Sequence, residues 1–220
     1  MAKRPVPGKV KTRLIGALSA NQAARVHAAM LQCVLDRITR HLPGRLVLAL
    51  DGRPELPLTH EDPGLTLRVP DGCELTDQGT GDLGERLSHT WQAIGGGPVV
   101  FFGVDSPDAP KHALTSIYDA LTHADTAVGP VEDGGYWCLA ARQYTPVLLT
   151  GIDWGTSAVY HQTRQAARNA GLTLHELHDW HDVDNYDDLE ALRRRLRQSD
   201  EPALITLRDR LDRITQDKTP

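Results

Sequence analysis

The chain has 220 residues, 40% of them hydrophobic and 24% charged, with a formal net charge of −5. That length allows one domain with a sizeable core, and the acidic balance argues against DNA or RNA as partner. Cys33, Cys73 and Cys138 show neither a disulfide framework nor zinc-ligand spacing, no run approaches a membrane span, and the basic start lacks the apolar core of a secretory leader, so a cytoplasmic setting is expected.

The first fourteen residues, MAKRPVPGKVKTRL, set Lys3, Arg4, Lys9, Lys11 and Arg13 around a Pro5-Val6-Pro7-Gly8 turn. A basic, Gly/Pro-shaped loop ahead of a helix suits phosphate, because backbone N–H groups and side-chain cations can converge on one anion. Ala23, Val26, Met30, Val34, Ile38 and Leu42 recur at helical spacing, which predicts a helix over Asn21–Leu42 stopped by Pro43-Gly44. Arg45–Leu50 reads as a strand. Residues 53–80 are turn-rich, with a short strand expected at Leu65–Val69. Asp82–Ile94 reads as a helix, and Gly95-Gly96-Gly97 leads into the continuous apolar run from Pro98 to Val104, a strand covered on both faces. A helix over Pro110–Leu121 follows, with Pro110 in its first turn. Thr126–Gly129 and Gly135–Ala141 read as strands around a glycine turn, Ser157–Ala170 as a helix, Leu172–Leu177 as a strand and Asp187–Arg197 as a helix.

Strand and helix alternate through most of the chain, which predicts an α/β layer fold with a mostly parallel sheet. One domain is expected over residues 1–200, followed over 201–220 by a C-terminal amphipathic helix and tail. Leu204, Leu207, Leu211 and Ile214 mark its apolar face, which packs on the domain or makes a homodimer contact.

Acids recur at loop positions. Asp105 follows the Val99–Val104 strand, where ligands of open α/β sheets bind, and its carboxylate suits Mg²⁺ or Mn²⁺. The alternative is that Asp105 or Ser106 only caps the next helix. Asp182 and Asp184 precede the acidic first turn at Asp187-Asp188, and one of them could complete a metal site with Asp105. His181 beside them is weak evidence of a ligand or catalytic role. In Gly129-Pro130-Val131-Glu132-Asp133-Gly134-Gly135-Tyr136-Trp137 two acids are pinned in a glycine turn. Glu132 or Asp133 could orient a hydroxyl or act as general base, or the segment is a solvated hairpin turn. Gln78–Arg86, with Gly81, Asp82 and Arg86, could cradle a nucleotide or merely cap a helix through Thr80 or Asp82.

Taken in order, Lys3–Leu14, Gly81-Asp82-Leu83-Gly84-Glu85-Arg86, Gly103-Val104-Asp105-Ser106-Pro107, Gly129–Trp137, Asp153-Trp154-Gly155-Thr156-Ser157 and Asp182-Val183-Asp184 carry a family likeness. The chain resembles the small bacterial glycosyltransferase-like proteins described as radical-SAM or selenium-domain-associated transferases, or as arsenosugar-biosynthesis glycosyltransferases. That family is a branch of the nucleotide-diphospho-sugar transferase superfamily. Relatives include molybdenum-cofactor and phospholactate guanylyltransferases. The resemblance implies a three-layer αβα sandwich of the glycosyltransferase-A fold and a Mg²⁺ or Mn²⁺ cofactor. It implies a nucleotide sugar or nucleoside triphosphate as one substrate and a small-molecule acceptor as the other. Pro7, Gly8, Lys9, Lys11 and Arg13 would bind the nucleotide phosphates, with Gly81, Asp82 and Arg86 also on the nucleotide. Asp105 would be the main metal ligand and Asp184 the second. Glu132 and Asp133 would face the sugar or acceptor, with Trp154 and Ser157 across the cleft. The family carries an apolar first strand before the Lys-x-Pro-x-Pro-Gly loop, whereas only Met1 and Ala2 precede Lys3 here. Sugar transfer is the leading expectation. Nucleotidyl transfer with release of pyrophosphate, assisted by Lys11 and Arg13, is the alternative.

Overall fold

The computed structural model describes residues 1–52 and 61–217. The turn-rich reading of residues 53–60 and the tail 218–220 lie outside the described residues. In chain order the elements are α1 (Ala20–His41), β1 (Val47–Leu50), β2 (Glu74–Asp77), α2 (Leu83–Ala93), β3 (Val99–Phe102), α3 (Lys111–His123), β4 (Thr126–Pro130), β5 (Tyr136–Ala141), α4 (Val159–Asn169), β6 (Leu174–Glu176), α5 (Tyr186–Leu196) and α6 (Pro202–Gln216). They fall into two units. The first holds Met1, residues 47–52 and residues 75–182, and the second holds residues 2–46, 61–74 and 183–217.

In the first unit four strands form a sheet in the order β3-β5-β4-β6. β5 is antiparallel to both β3 and β4, while β6 is parallel to β4. Three strands therefore point one way and β5 alone is reversed, so the expected mostly parallel sheet has one inverted strand near its middle. Successive side chains of a strand face opposite ways, and the two cores follow that alternation. Val100, Phe102, Ala127, Cys138 and Ala140 pack with Ala113, Leu114, Ile117 and Ala120 of α3. Phe101, Val128, Leu139 and Ala141 pack with Leu87 and Trp91 of α2 and Ala167 of α4 on the other face. Helix, sheet and helix make the three layers of an α/β sandwich. Met1 joins the second of these cores, and its amino group donates to the Phe102 carbonyl at 3.2 Å.

In the second unit α1 packs against α6, and α6 against α5. Ser19 and Gln22 cap α1 reciprocally, as expected for a helix-starting polar pair three residues apart. The apolar face of α6, Leu204, Leu207, Leu211 and Ile214, is buried within the chain. Arg37 on α1 is 3% exposed and donates to both oxygens of Glu201, at 2.8 and 3.1 Å, while His41 reaches the same carboxylate at 3.0 Å.

One strand expectation is corrected. Leu65–Val69 is not a strand: Pro63–Leu65 is a short 3-10 turn, Leu65 packs with Val10 and Ala24, and the Arg68 N–H is taken by the Gln32 side chain. The apolar run satisfies its burial against a helix and needs no strand partner. The strand of this region is instead β2, whose polar sequence Glu-Leu-Thr-Asp gives no hydrophobic signal; it pairs with β1.

Burial alone would raise the Glu201 carboxyl, but the Arg37 hydrogen bonds and charge outweigh it and hold the group below its ordinary 4.5. The stabilisation is therefore complete above pH 4.5 and is lost as pH falls through the depressed value. E201Q, which takes the Glu201 charge away from the buried Arg37 guanidinium, is expected to cost about 3 kcal/mol at pH 7. Urea midpoints measured from pH 7 to pH 3 should fall more steeply for the unaltered protein than for E201Q. Parallel curves would contradict the assignment.

Candidate functional site

The turn between β4 and β5 carries Glu132 and Asp133 at the tip of the central hairpin. The register shifts at Gly129/Pro130, where a Cβ on Gly129 would lie 2.2–2.5 Å from atoms of the Trp137 indole. Only a glycine lets that ring cross the neighbouring strand. Beyond it, the Gly134 N–H donates to the Val131 carbonyl at 3.1 Å and the Val131 N–H to the Gly135 carbonyl at 3.2 Å. Asp133 Oδ1 accepts from the Gly135 N–H at 2.9 Å, the local Asx geometry typical of such turns. Gly134 has φ +89, and a Cβ there would stand 2.1 Å from the Ser157 carbonyl oxygen. The Tyr160 N–H donates to the Gly134 carbonyl at 2.8 Å. The start of α4 is thus seated directly on the turn.

The segment after β6 lies along the same turn. The Trp180 N–H donates to the Pro130 carbonyl at 3.0 Å, and the Trp137 indole N–H to the His178 carbonyl at 3.1 Å. The Trp180 indole N–H donates to Asp108 Oδ1 at 3.1 Å, which ties the segment to the turn after β3. His181 Nδ1 lies 3.1 Å from Glu132 Oε1, with the Glu132 side chain 70% exposed. Carboxylate oxygens of Asp133 and Asp182 lie within 4.8 Å of each other. The donors are hard oxygens, as Mg²⁺ or Mn²⁺ prefers, so the pair fits such an ion.

The other predicted residues of this unit are placed as follows. Asp105 is exposed in the turn after β3 and does not join the Asp133–Asp182 group. Asp82 caps α2: its carboxylate accepts from the Glu85 N–H and its own N–H donates to Glu85, both at 2.9 Å. Asp82 and Glu85 thus form the capping box of α2. Gly81 has φ +99, and its carbonyl accepts from Arg86 Nε at 3.0 Å. Trp154 packs edge-on to Tyr136, with centroids 6.2 Å apart, and its indole closes on Gly84, where a Cβ would be 2.5 Å from Nε1. Ser157 meets the hairpin tip through its backbone. For His181 and Asp182 the sequence signal is their spacing with Asp184 around Val183.

The basic loop belongs to the second unit. Pro7, Gly8 and Lys9 are exposed, Gly8 has φ +77, and the Lys9 N–H donates to the Val6 carbonyl at 3.0 Å. Val10 and Leu14 are buried beneath them. Lys11 has φ +48 and ψ +41, opens the 3-10 turn Thr12–Leu14, and donates through Nζ to the Val183 carbonyl. Arg13 forms an ion pair with Asp184. Two cations assigned to phosphate are thus found on the segment that carries a carboxylate assigned to metal.

Residues 34–156, more than half of the chain, match the family model described as "Uncharacterized protein conserved in bacteria (DUF2064)". The chain belongs to this family. Among solved structures it is similar to a candidate nucleotide-diphospho-sugar transferase from Desulfovibrio desulfuricans G20, at 33% identity and TM-score 0.81, over 98% of this chain and 94% of that one. That match places the α/β sandwich with the glycosyltransferase-A fold. Rv0371c from Mycobacterium tuberculosis H37Rv (17% identity, TM-score 0.50, 84% of this chain and 92% of that one) is similar in fold alone. So is its homologue from Mycobacterium sp. strain JC1 (17%, 0.51, 87% and 92%). No curated protein matches the chain. Among the described residues no helix is long and apolar enough to cross a membrane.

The seating of Gly134 on Ser157 can be separated from ordinary glycine strain. Gly151 has φ +72 but nothing within 4 Å of a Cβ, so G151A should cost only the left-handed penalty of about 1–2 kcal/mol. G134A should cost clearly more by urea denaturation, because its methyl also collides with fixed backbone. Equal losses would contradict the close approach.

Proposed function

We propose that this member of the DUF2064 family is a metal-dependent transferase that moves a sugar from a nucleoside-diphosphate sugar to a small-molecule acceptor. The arsenosugar-biosynthesis, radical-SAM-associated branch is the subtype that its motifs resemble. The observation that carries the reading is the hairpin tip, where the Asp133–Asp182 carboxylates and the Glu132–His181 pair stand side by side. The 33% likeness to the Desulfovibrio protein, which bears a nucleotide-diphospho-sugar transferase name, supports it.

Asp133 and Asp182 would hold Mg²⁺ or Mn²⁺, while Asp105 and Asp184 remain the carboxylates that the family likeness assigns to metal. The cation, when bound, supplies charge neutralisation for a departing diphosphate. Gly8 and Lys9, with Pro7 shaping the turn, would present backbone and ammonium donors to the phosphates. Lys11 and Arg13 would stabilise the charge that builds on the leaving group. Gly81, Asp82, Arg86, Trp154 and Ser157 would face the nucleotide side. Glu132, held by His181 and open to solvent, would accept the acceptor hydroxyl's proton. Asp133 is better used as a cation ligand than as a second base, since it already stands beside Asp182.

The basic loop would serve a departing pyrophosphate equally well, which keeps nucleotidyl transfer as the second reading. Incubation with Mn²⁺ and a panel of nucleoside triphosphates and nucleotide sugars separates the two. Release of nucleoside diphosphate from a nucleotide sugar is the expected result, and pyrophosphate release from a triphosphate alone would favour the alternative. E132Q should slow turnover about 10²- to 10⁴-fold while leaving nucleotide affinity unchanged by calorimetry. Unchanged turnover would remove Glu132 from the proton transfer. D182N should weaken Mn²⁺ binding measured by electron paramagnetic resonance, and unaltered binding would remove Asp182 from the cation site.

A further inference from the structure

Arg13 and Asp184 are given separate tasks in the reading above, yet they hold each other. The chain is shaped for that contact. Lys11 is the one non-glycine residue with positive φ among the described residues, a conformation that persists only where the surroundings fix it. It turns the loop so that Lys11 reaches the Val183 carbonyl and Arg13 reaches the Asp184 carboxylate. The receiving segment is rigid. Val183 is fully buried, the Asp184 and Asn185 N–H groups both donate to Asp188 Oδ2 at 3.0 Å, and Asn185 caps α5. The Arg13 side chain, by contrast, is 72% exposed.

We propose that Arg13 is the resident counter-ion of Asp184 and is exchanged on ligand binding. A diphosphate draws the guanidinium away, since its planar fork matches phosphate oxygens, and this releases the Asp184 carboxylate for a divalent cation. Each ligand then removes a competitor of the other, so diphosphate and metal favour one another through Arg13. The exchange is cheap, because an exposed ion pair of this kind is worth only a few-fold in an equilibrium. The inference rests on the proposed function for its ligands, but not for the ion pair itself.

The test is a double-mutant cycle on the full chain, read as binding of inorganic pyrophosphate in the absence of metal by calorimetry. In D184N the guanidinium is no longer held, and pyrophosphate should bind about 2- to 5-fold more tightly. D187N removes the same charge from an exposed position three residues on and should change little. In an R13Q background the gain from D184N should vanish. Mn²⁺ alone, measured by electron paramagnetic resonance, should bind R13Q about 2- to 5-fold more tightly than the unaltered protein, and K9Q should not reproduce the effect. An equal gain from D184N with and without Arg13, or from D187N as well, would show general electrostatics and overturn the exchange. If pyrophosphate binds the unaltered protein and D184N identically, the exchange alone falls. If pyrophosphate fails to bind at all, the phosphate reading of the loop falls with it.

Discussion

The β4–β5 hairpin is the constraint on which the candidate site depends. Its two strands are hydrogen-bonded at the middle of the four-stranded sheet, with helices packed on both faces. A buried hairpin cannot slip register without turning a core face to the wrong side, so the position of its tip is fixed by the whole sandwich. Glu132 and Asp133 stand at that tip. The tip is closed further by the Ser157 backbone against Gly134 and by the Trp180 main-chain bond to Pro130. Exposed carboxylates are usually mobile, but here the backbone beneath them is held from three directions.

Charge is arranged differently in the two units. In the first unit Asp133 and Asp182 stand close together, with Glu132 and His181 paired beside them. In the second unit Lys11 and Arg13 are drawn onto Val183 and Asp184. Pairing of opposite charges lowers the cost of concentrating acids and bases in one segment. The chain also contains a buried pair of another kind, Arg37 with Glu201, whose partners are shielded from solvent and hold α1 to α6. The Arg13–Asp184 pair is open to solvent and the Arg37–Glu201 pair is not.

The elements most readable from the sequence were those whose own residues supply the signal. The apolar spacing of Ala23 to Leu42 located α1 within a residue, and the glycine turn between two apolar runs located β4 and β5. The reversed direction of β5 was not readable, because strand orientation is set by pairing rather than by composition. Leu65–Val69 misled because an apolar run reports burial and not the partner that provides it, and β2 was silent because Glu74–Asp77 is polar. At the site, Glu132, Asp133 and Asp184 stood out by motif. The pairing of Asp133 with Asp182, the anchoring of Trp180 on Asp108 and the left-handed Lys11 depend on contacts between distant segments, which single-chain spacing does not encode.

The central claim is that the hairpin tip holds a divalent cation for a nucleotide-diphosphate substrate. The most direct measurement is an anomalous difference map from crystals of the full chain grown with Mn²⁺ and a nucleoside diphosphate. A Mn²⁺ peak within coordination distance of both Asp133 and Asp182 is predicted, with diphosphate oxygens completing its shell. Clear diphosphate density with no peak at these carboxylates would contradict it.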